Sequence, residues 1–126
     1  MQVELVSPEA ILFSGECSQV LTRTLDGDIA FLSNHAAFIG ALDVGETQLW
    51  TDDGVMALAV NRGFVEVSSD TVTILSDEAL AAADIDVDEA QTDLDAAVTA
   101  LVQDPDDEAA LAAQQWASLR LRVANG

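Results

Sequence analysis

The stretch TVTILSDEALAAADIDVDEA, residues 71–90, changes its pattern halfway along and so decides the architecture of the chain. Val72 and Ile74 alternate with threonines, the period-2 signature of a strand with one buried face. From Ala79 onward strand formers thin out and alanine dominates. Asp86 or Asp88 is then placed to cap a helix, because a carboxylate just before the first turn accepts its free N–H groups. The chain should be built of strands before about Asp77 and of helices after it.

Working outward toward the C-terminus, Ala90, Leu94, Ala97, Val98 and Leu101 recur at spacings of three and four, the stripe of an amphipathic helix. That helix should stop at Gln103-Asp104-Pro105. A second is expected to start there, with Asp104 as N-cap and Pro105 in the first helical position, and to end near Val123. Its packing face would carry Ala109, Ala112, Ala113, Trp116, Leu119 and Val123. Arg120 and Arg122 fall close to its end, where the helix dipole favours positive charge. So short a connector makes the pair an antiparallel hairpin.

Toward the N-terminus the segments Val3–Leu5, Ile11–Thr24 (with Gly15 as a bulge), Ile29–Leu32, Phe38–Val44, Thr47–Thr51, Val55–Val60, Phe64–Val67 and Val72–Leu75 read as strands. Turn signals at 25–28, 52–54 and 68–71 separate them. Val55–Val60 is apolar on both faces, as in a strand covered on both sides. The expected fold is an all-β N-terminal sandwich, a flattened barrel of about eight to ten strands, followed by a C-terminal antiparallel α-helical hairpin. The domains would be residues 1–83 and 84–126.

Composition narrows the function. Against 23 acidic residues stand 4 basic ones, a net charge of −19, which argues against nucleic acid and against direct binding to anionic lipid. A basic partner surface, or solubility through self-repulsion, would suit it. The single cysteine, Cys17, cannot form an internal disulfide and reads as a small core or interface residue. The N-terminus lacks the pattern of a signal peptide, and no apolar run approaches the roughly 18 residues that span a bilayer. A soluble, cytoplasmic protein is expected.

Catalytic motifs are sparse. One histidine, one cysteine and no lysine exclude most His/Cys metal centres, a P-loop and a Schiff base. The acids around Asp86 and Asp104 lack the glycine and spacing of a calcium loop and read as helix caps. Neither a catalytic nor a metal site is expected, and the chain reads as no enzyme in its own right.

The block GDIAFLSNHAAFIGALDVG, residues 27–45, resembles a segment of the epsilon subunit of F-type ATP synthases. The later block VNRGFVEVSSDTVTILSDEA, residues 60–79, resembles another segment of the same family. The order of β-domain then hairpin also matches, so the resemblance covers the whole chain. It implies a non-catalytic rotor-stalk subunit on the cytoplasmic face of the bacterial plasma membrane, peripheral and without membrane insertion. The implied partners are the gamma subunit, the ring of c subunits and the catalytic beta and alpha subunits. By resemblance, Asp26, Gly27 and Asp28, with Asn34 and His35, lie at the end of the sandwich that meets gamma and the c-ring. Acids there suit basic ring loops. For His35 two readings stand: a loop histidine serving a backbone carbonyl, or a direct gamma or c-ring contact.

The family's hairpin can brake ATP hydrolysis, and Trp116, Leu119, Arg120 and Arg122 would be its contacts here. Three departures matter. Arg62 replaces a glycine of the family's Gly-Gly pair and is expected to pair with a nearby acid. Some bacterial members bind ATP through a motif whose arginine position is Glu89 in this chain. A carboxylate cannot hold an anionic nucleotide, so ATP binding should be weak or absent and calorimetry should find no micromolar site. In inhibitory members basic helices meet an acidic beta segment, whereas this hairpin is mainly acidic. Inhibition would then be weak, or would work by wedging Trp116, Leu119 and Val123 into the head. The alternatives are a stand-alone β-sandwich adaptor with a partner-binding hairpin, and a carboxylate hydrolase with two acids in a deep pocket.

Overall fold

A computed structural model describes residues 1–126. They form two compact units, Met1–Ala81 and Ala82–Gly126. The first holds seven strands: β1 (Gln2–Val6), β2 (Ile11–Glu16), β3 (Gln19–Thr24), β4 (Gly27–Leu32), β5 (Phe38–Thr51), β6 (Gly54–Ser68) and β7 (Thr71–Ala81). They hydrogen-bond in the order β2-β1-β7-β6-β5-β3-β4. Only β1 and β7 run parallel; every other pairing is antiparallel.

A single sheet becomes a sandwich because β5, β6 and β7 all bend at one place. The β5–β6 ladder skips Asp43 and Arg62, and the β6–β7 ladder skips Arg62 and Asp77. Across that row the buried phase of each strand flips. Leu42 is buried before the bend and Gly45, Thr47 and Leu49 after it. Leu58 and Val60 give way to Val65 and Val67, and Val72, Ile74 and Ser76 to Ala79. One irregular residue per strand turns the other side chain inward, so both layers face a common core. That core is built of bulky side chains from both layers, among them Val3, Leu5, Val20, Phe31, Leu49, Leu58, Val65 and Ile74. Arg62 takes the left-handed conformation at φ 62° and Gly63 follows at φ 131°. Gly63 is obligatory there, since a Cβ would collide with the Leu75 carbonyl oxygen.

The sandwich and the helical hairpin are as expected, but the sheet is open, with β2 and β4 at its edges. Its seven strands are fewer than the eight to ten read from the sequence. The bend explains the surplus: Phe38–Val44 with Thr47–Thr51, and Val55–Val60 with Phe64–Val67, are halves of single strands whose alternation changes phase midway. For the same reason β7 runs past Asp77 to Ala81. The long Ile11–Thr24 run breaks into β2 and β3 at Cys17-Ser18. The irregularity expected at Gly15 lies instead at Leu12 of the same strand, which the β1–β2 ladder skips between the Leu5–Phe13 and Val6–Ile11 pairs. Val55 is 54% exposed, so Val55–Val60 is covered on both faces only from Leu58 onward.

The second unit opens with a 3-10 turn at Ala82–Asp84, followed by α1 (Val87–Gln103) and α2 (Glu108–Asn125). Asp86 caps α1 by accepting from the Glu89 N–H. The second cap is Asp107, three residues beyond the expected Asp104. Asp104 instead closes α1 and takes the Asp106 N–H on its carboxylate. On α2, Trp116, Leu119 and Val123 are buried as expected, together with Ala110, Ala117 and Arg120, whereas Ala109, Ala112 and Ala113 are exposed. On α1, Ala90 and Ala97 are buried and Val98 is exposed.

Candidate functional site

The turn joining β3 to β4 is built locally. Thr24 Oγ1 donates to the Gly27 carbonyl at 2.8 Å and accepts the Asp26 N–H at 3.2 Å, while Gly27 supplies φ 115°. Asp28 accepts from Arg23 Nε at 3.0 Å across the β3–β4 pair. Both partners are about half exposed, so water screens the pair. Asp26 is left as the turn's acid without an ion-pair partner.

The loop after β4 holds the other expected contacts. Asn34 is left-handed at φ 65° and donates its N–H to Asp70 Oδ1 at 2.8 Å. The His35 N–H donates to the Leu32 carbonyl at 3.1 Å. Its Nδ1 lies 2.7 Å from the Ala36 carbonyl, an acceptor only, so Nδ1 is the donor of that bond. The ring also meets Phe31 edge-on at 4.9 Å. A local structural role for His35 is thus fully satisfied.

These two groups are not brought together. Gly27 begins β4 opposite Thr24, and Leu32 ends it opposite Gln19, which separates the turn from the His35 loop by about 17 Å along the strand. The Asn34 end also gathers Asp70, the Met1 amine, Glu16 and Cys17. The amine bonds Glu16 at 3.1 Å and the Cys17 carbonyl at 3.2 Å. Glu16 above all holds that ammonium's pKa above its ordinary value, and burial pushes the Cys17 thiol up.

One surface escaped sequence reading. Ala41, Phe64, Leu75, Val6 and Ile11 are consecutive partners across β5, β6, β7, β1 and β2. Ile11 is 73% exposed, Phe64 58% and Leu75 53%. Leu25, 66% exposed, extends the row, its N–H bonded to the Ala41 carbonyl. Two residues along, the row Ile39, Glu66, Thr73, Glu4 and Ser14 borders the stripe with acids. The available signal was phase: Phe64 and Leu75 hold outward positions in strands whose inward ones are already apolar.

Nothing resembles an active centre. No carboxylate is buried, no three His, Cys, Asp or Glu side chains converge as metal ligands, and no buried side-chain polar atom lacks a partner. Arg62 is exposed and joins none of the ion pairs, contrary to the pairing expected of it. Trp116 and Leu119 are buried, Arg120 is buried against Asp93, and Arg122 is exposed at the end of α2. Asp86 is occupied as a cap and Glu89 is exposed, so the 85–90 segment offers an anionic nucleotide no cationic side chain.

The profile of the β-sandwich domain of the ATP synthase delta/epsilon chain matches residues 1–82. The ATP synthase epsilon chain of Streptomyces griseus is 33% identical over 124 aligned residues, covering 98% of this chain and 94% of that one. The sodium-ion-specific epsilon chain of Propionigenium modestum is 32% identical over 126, covering 98% and 92%. The epsilon chain of Dichelobacter nodosus is 40% identical over 108, covering 85% and 75%. In fold, the chain is similar to one in the cryo-EM structure of Euglena gracilis mitochondrial ATP synthase (OSCP/F1/c-ring), with a TM-score of 0.71 at 21% identity. The superposition covers 98% of this chain and 76% of that one. A chain of the Tetrahymena thermophila central stalk/c-ring gives 0.59 at 14% identity, covering 98% and 92%. With the profile spanning the whole sandwich and epsilon chains aligned from end to end, this protein belongs to the ATP synthase delta/epsilon chain family.

Proposed function

We propose that the chain is a non-catalytic subunit of the central stalk of an F-type ATP synthase, where it couples the catalytic head to the ring of c subunits. The observation that carries the reading is the apolar stripe from Leu25 to Ile11, 53 to 73% exposed at its four bulkiest members, on a molecule with no buried acid and no ligand cluster. Such a surface is made to be covered. Its acidic border, Glu4 and Glu66, favours a partner that is apolar at the centre and basic at the rim. The gamma subunit is the natural occupant. The Asp26–Asp28 turn, with Asp26 uncompensated, is the better candidate for basic c-ring loops, and Asn34 and His35 for a separate contact at the other end of β4.

No helix is long and apolar enough to cross a membrane. The subunit is read as held peripherally, by its partners, on the cytoplasmic face of the bacterial plasma membrane. In this division residues 1–83 bind gamma and the c-ring, and residues 84–126 regulate. A brake that wedges Trp116, Leu119 and Val123 into the head requires them to leave their buried positions, 8, 2 and 2% exposed. The deciding experiment is ATP hydrolysis by the head assembled with gamma and either the full chain or one truncated after Ala83. Faster turnover on truncation makes the hairpin a brake. An unchanged rate limits it to coupling or assembly, and failure of both chains to join the head overturns the stalk reading.

A further inference from the structure

Arg120 is the one charged side chain buried in the molecule, 7% exposed. Its Nη2 donates to Asp93 Oδ2 at 2.9 Å, from α2 to α1. Its Nε donates to the Trp116 carbonyl at 3.4 Å, and the guanidinium lies 5.4 Å from the centroid of the Trp116 ring. No other ion pair or side-chain hydrogen bond joins the two helices. The connecting turn, residues 104–107, ties the helices at one end. Asp93, in the first half of α1, and Arg120, late in α2, lie toward the other, where nothing covalent holds them.

Apolar burial is unevenly shared between the two helices. On α2, Trp116, Leu119 and Val123 are buried, but the buried residues of α1 are Ala90 and Ala97, with Leu94 and Leu101 half-buried, and alanine removes little apolar area from water. Charge works against closure. Residues 82–126 carry ten acids and two arginines, a net charge of −8. Three of those acids lie in the connecting turn and Glu108 opens α2 next to it, beside the C-terminal end of α1, which has no basic residue in its last turn. Negative charge is unfavourable at that end of a helix dipole.

We propose that Asp93 and Arg120 form a clasp at the open end of the hairpin, so that α1 stays on α2 only while a carboxylate occupies the guanidinium. Asp93 is 46% exposed at its side chain and Arg120 8%. The exposed partner is thus the one a competitor can reach, and its loss strands a buried charge. The clasp is a property of the free chain and does not depend on the stalk reading.

Hydrogen–deuterium exchange on the full chain tests it. Asp93→Asn should raise exchange across α1 and α2 by about tenfold or more, with the core amides of the sheet unchanged. Asp93→Ala should loosen the helices likewise, and acetate, as a carboxylate supplied in solution, should restore protection relative to chloride at equal ionic strength. Helix exchange within about twofold of the unsubstituted chain in both variants overturns the clasp. So does loosening that acetate fails to reverse, because packing around residue 93 and not its charge would then have held the helices. An equal rise in sheet exchange overturns it too, since the effect would not be local.

Discussion

The sandwich and the hairpin solve the same problem with different materials. All twelve of the largest fully buried side chains, from Val3 to Ile74, belong to the sandwich, ten of them valine, leucine, isoleucine or phenylalanine. The fully buried residues of α1 are two alanines, and the hairpin combines the buried Trp116, Leu119 and Val123 of α2 with caps and one ion pair. Large buried side chains stabilise through area and close fit, which are costly to disturb anywhere. Small ones leave the outcome to a few polar contacts, each removable alone. The sandwich should therefore tolerate loss of a surface group and fail on an internal collision, while the hairpin should respond measurably to a single cap.

The largest effect should come from the bend. Gly63→Ala places a methyl group against the Leu75 carbonyl at φ 131° and should cost about 4 kcal/mol or more, read as a lowered urea midpoint of the sheet's near-UV signal. If stability is retained, the bend is plastic and the contrast breaks. Next is the buried hydroxyl pair Thr22–Thr47, whose oxygens are 2.8 Å apart. Thr22→Val leaves the Thr47 hydroxyl without a partner and should cost about 1–3 kcal/mol, whereas valine at both positions should be nearly neutral. Chemical denaturation of the single and double variants separates the two.

On the hairpin side, Asp107→Ala removes the oxygen that accepts the Ala110 N–H at 3.1 Å. It should cost about 1 kcal/mol, visible as faster exchange in the first turn of α2 with the sheet unaffected. The smallest effect is a pH dependence at Cys17. Burial holds its folded pKa above the ordinary thiol value of 9.0, so above that pH the folded state holds a proton that the unfolded chain has lost. The contribution is complete below pH 9 and disappears as pH rises through the folded value. The urea midpoint of the native chain should therefore fall more between pH 8 and pH 10 than that of Cys17→Ala.

Legibility in the sequence followed the same division. Hairpin elements were readable because caps and 3.6-residue stripes are local, and Asp86 was correctly placed as one of two candidate caps. Asp104 is the expected second cap because Pro105 suits a first helical position; the structure ends α1 with Asp104 and caps α2 with Asp107. In the sandwich each strand's existence was readable but its continuity was not. Asp43, Arg62 and Asp77 look like turn residues, and only their alignment across three strands shows that they mark a bend. The apolar stripe is likewise a product of register, since Phe64 and Leu75 become neighbours through pairing and not through spacing. The position of Arg120 in the last turns of α2 is legible in the sequence, but its partner is not: Asp93 lies 27 residues away and nothing local joins them.

The shared bend also has a mechanical meaning. In two stacked sheets joined only by loops, a sideways load is borne by side-chain contacts, which slip. Here β5, β6 and β7 pass unbroken from one layer into the other, so a load applied to either layer reaches its mate along three covalent chains that remain cross-bonded on both sides of the corner. A body built this way resists shear and twists as one piece, a property that the stalk role proposed above would call on.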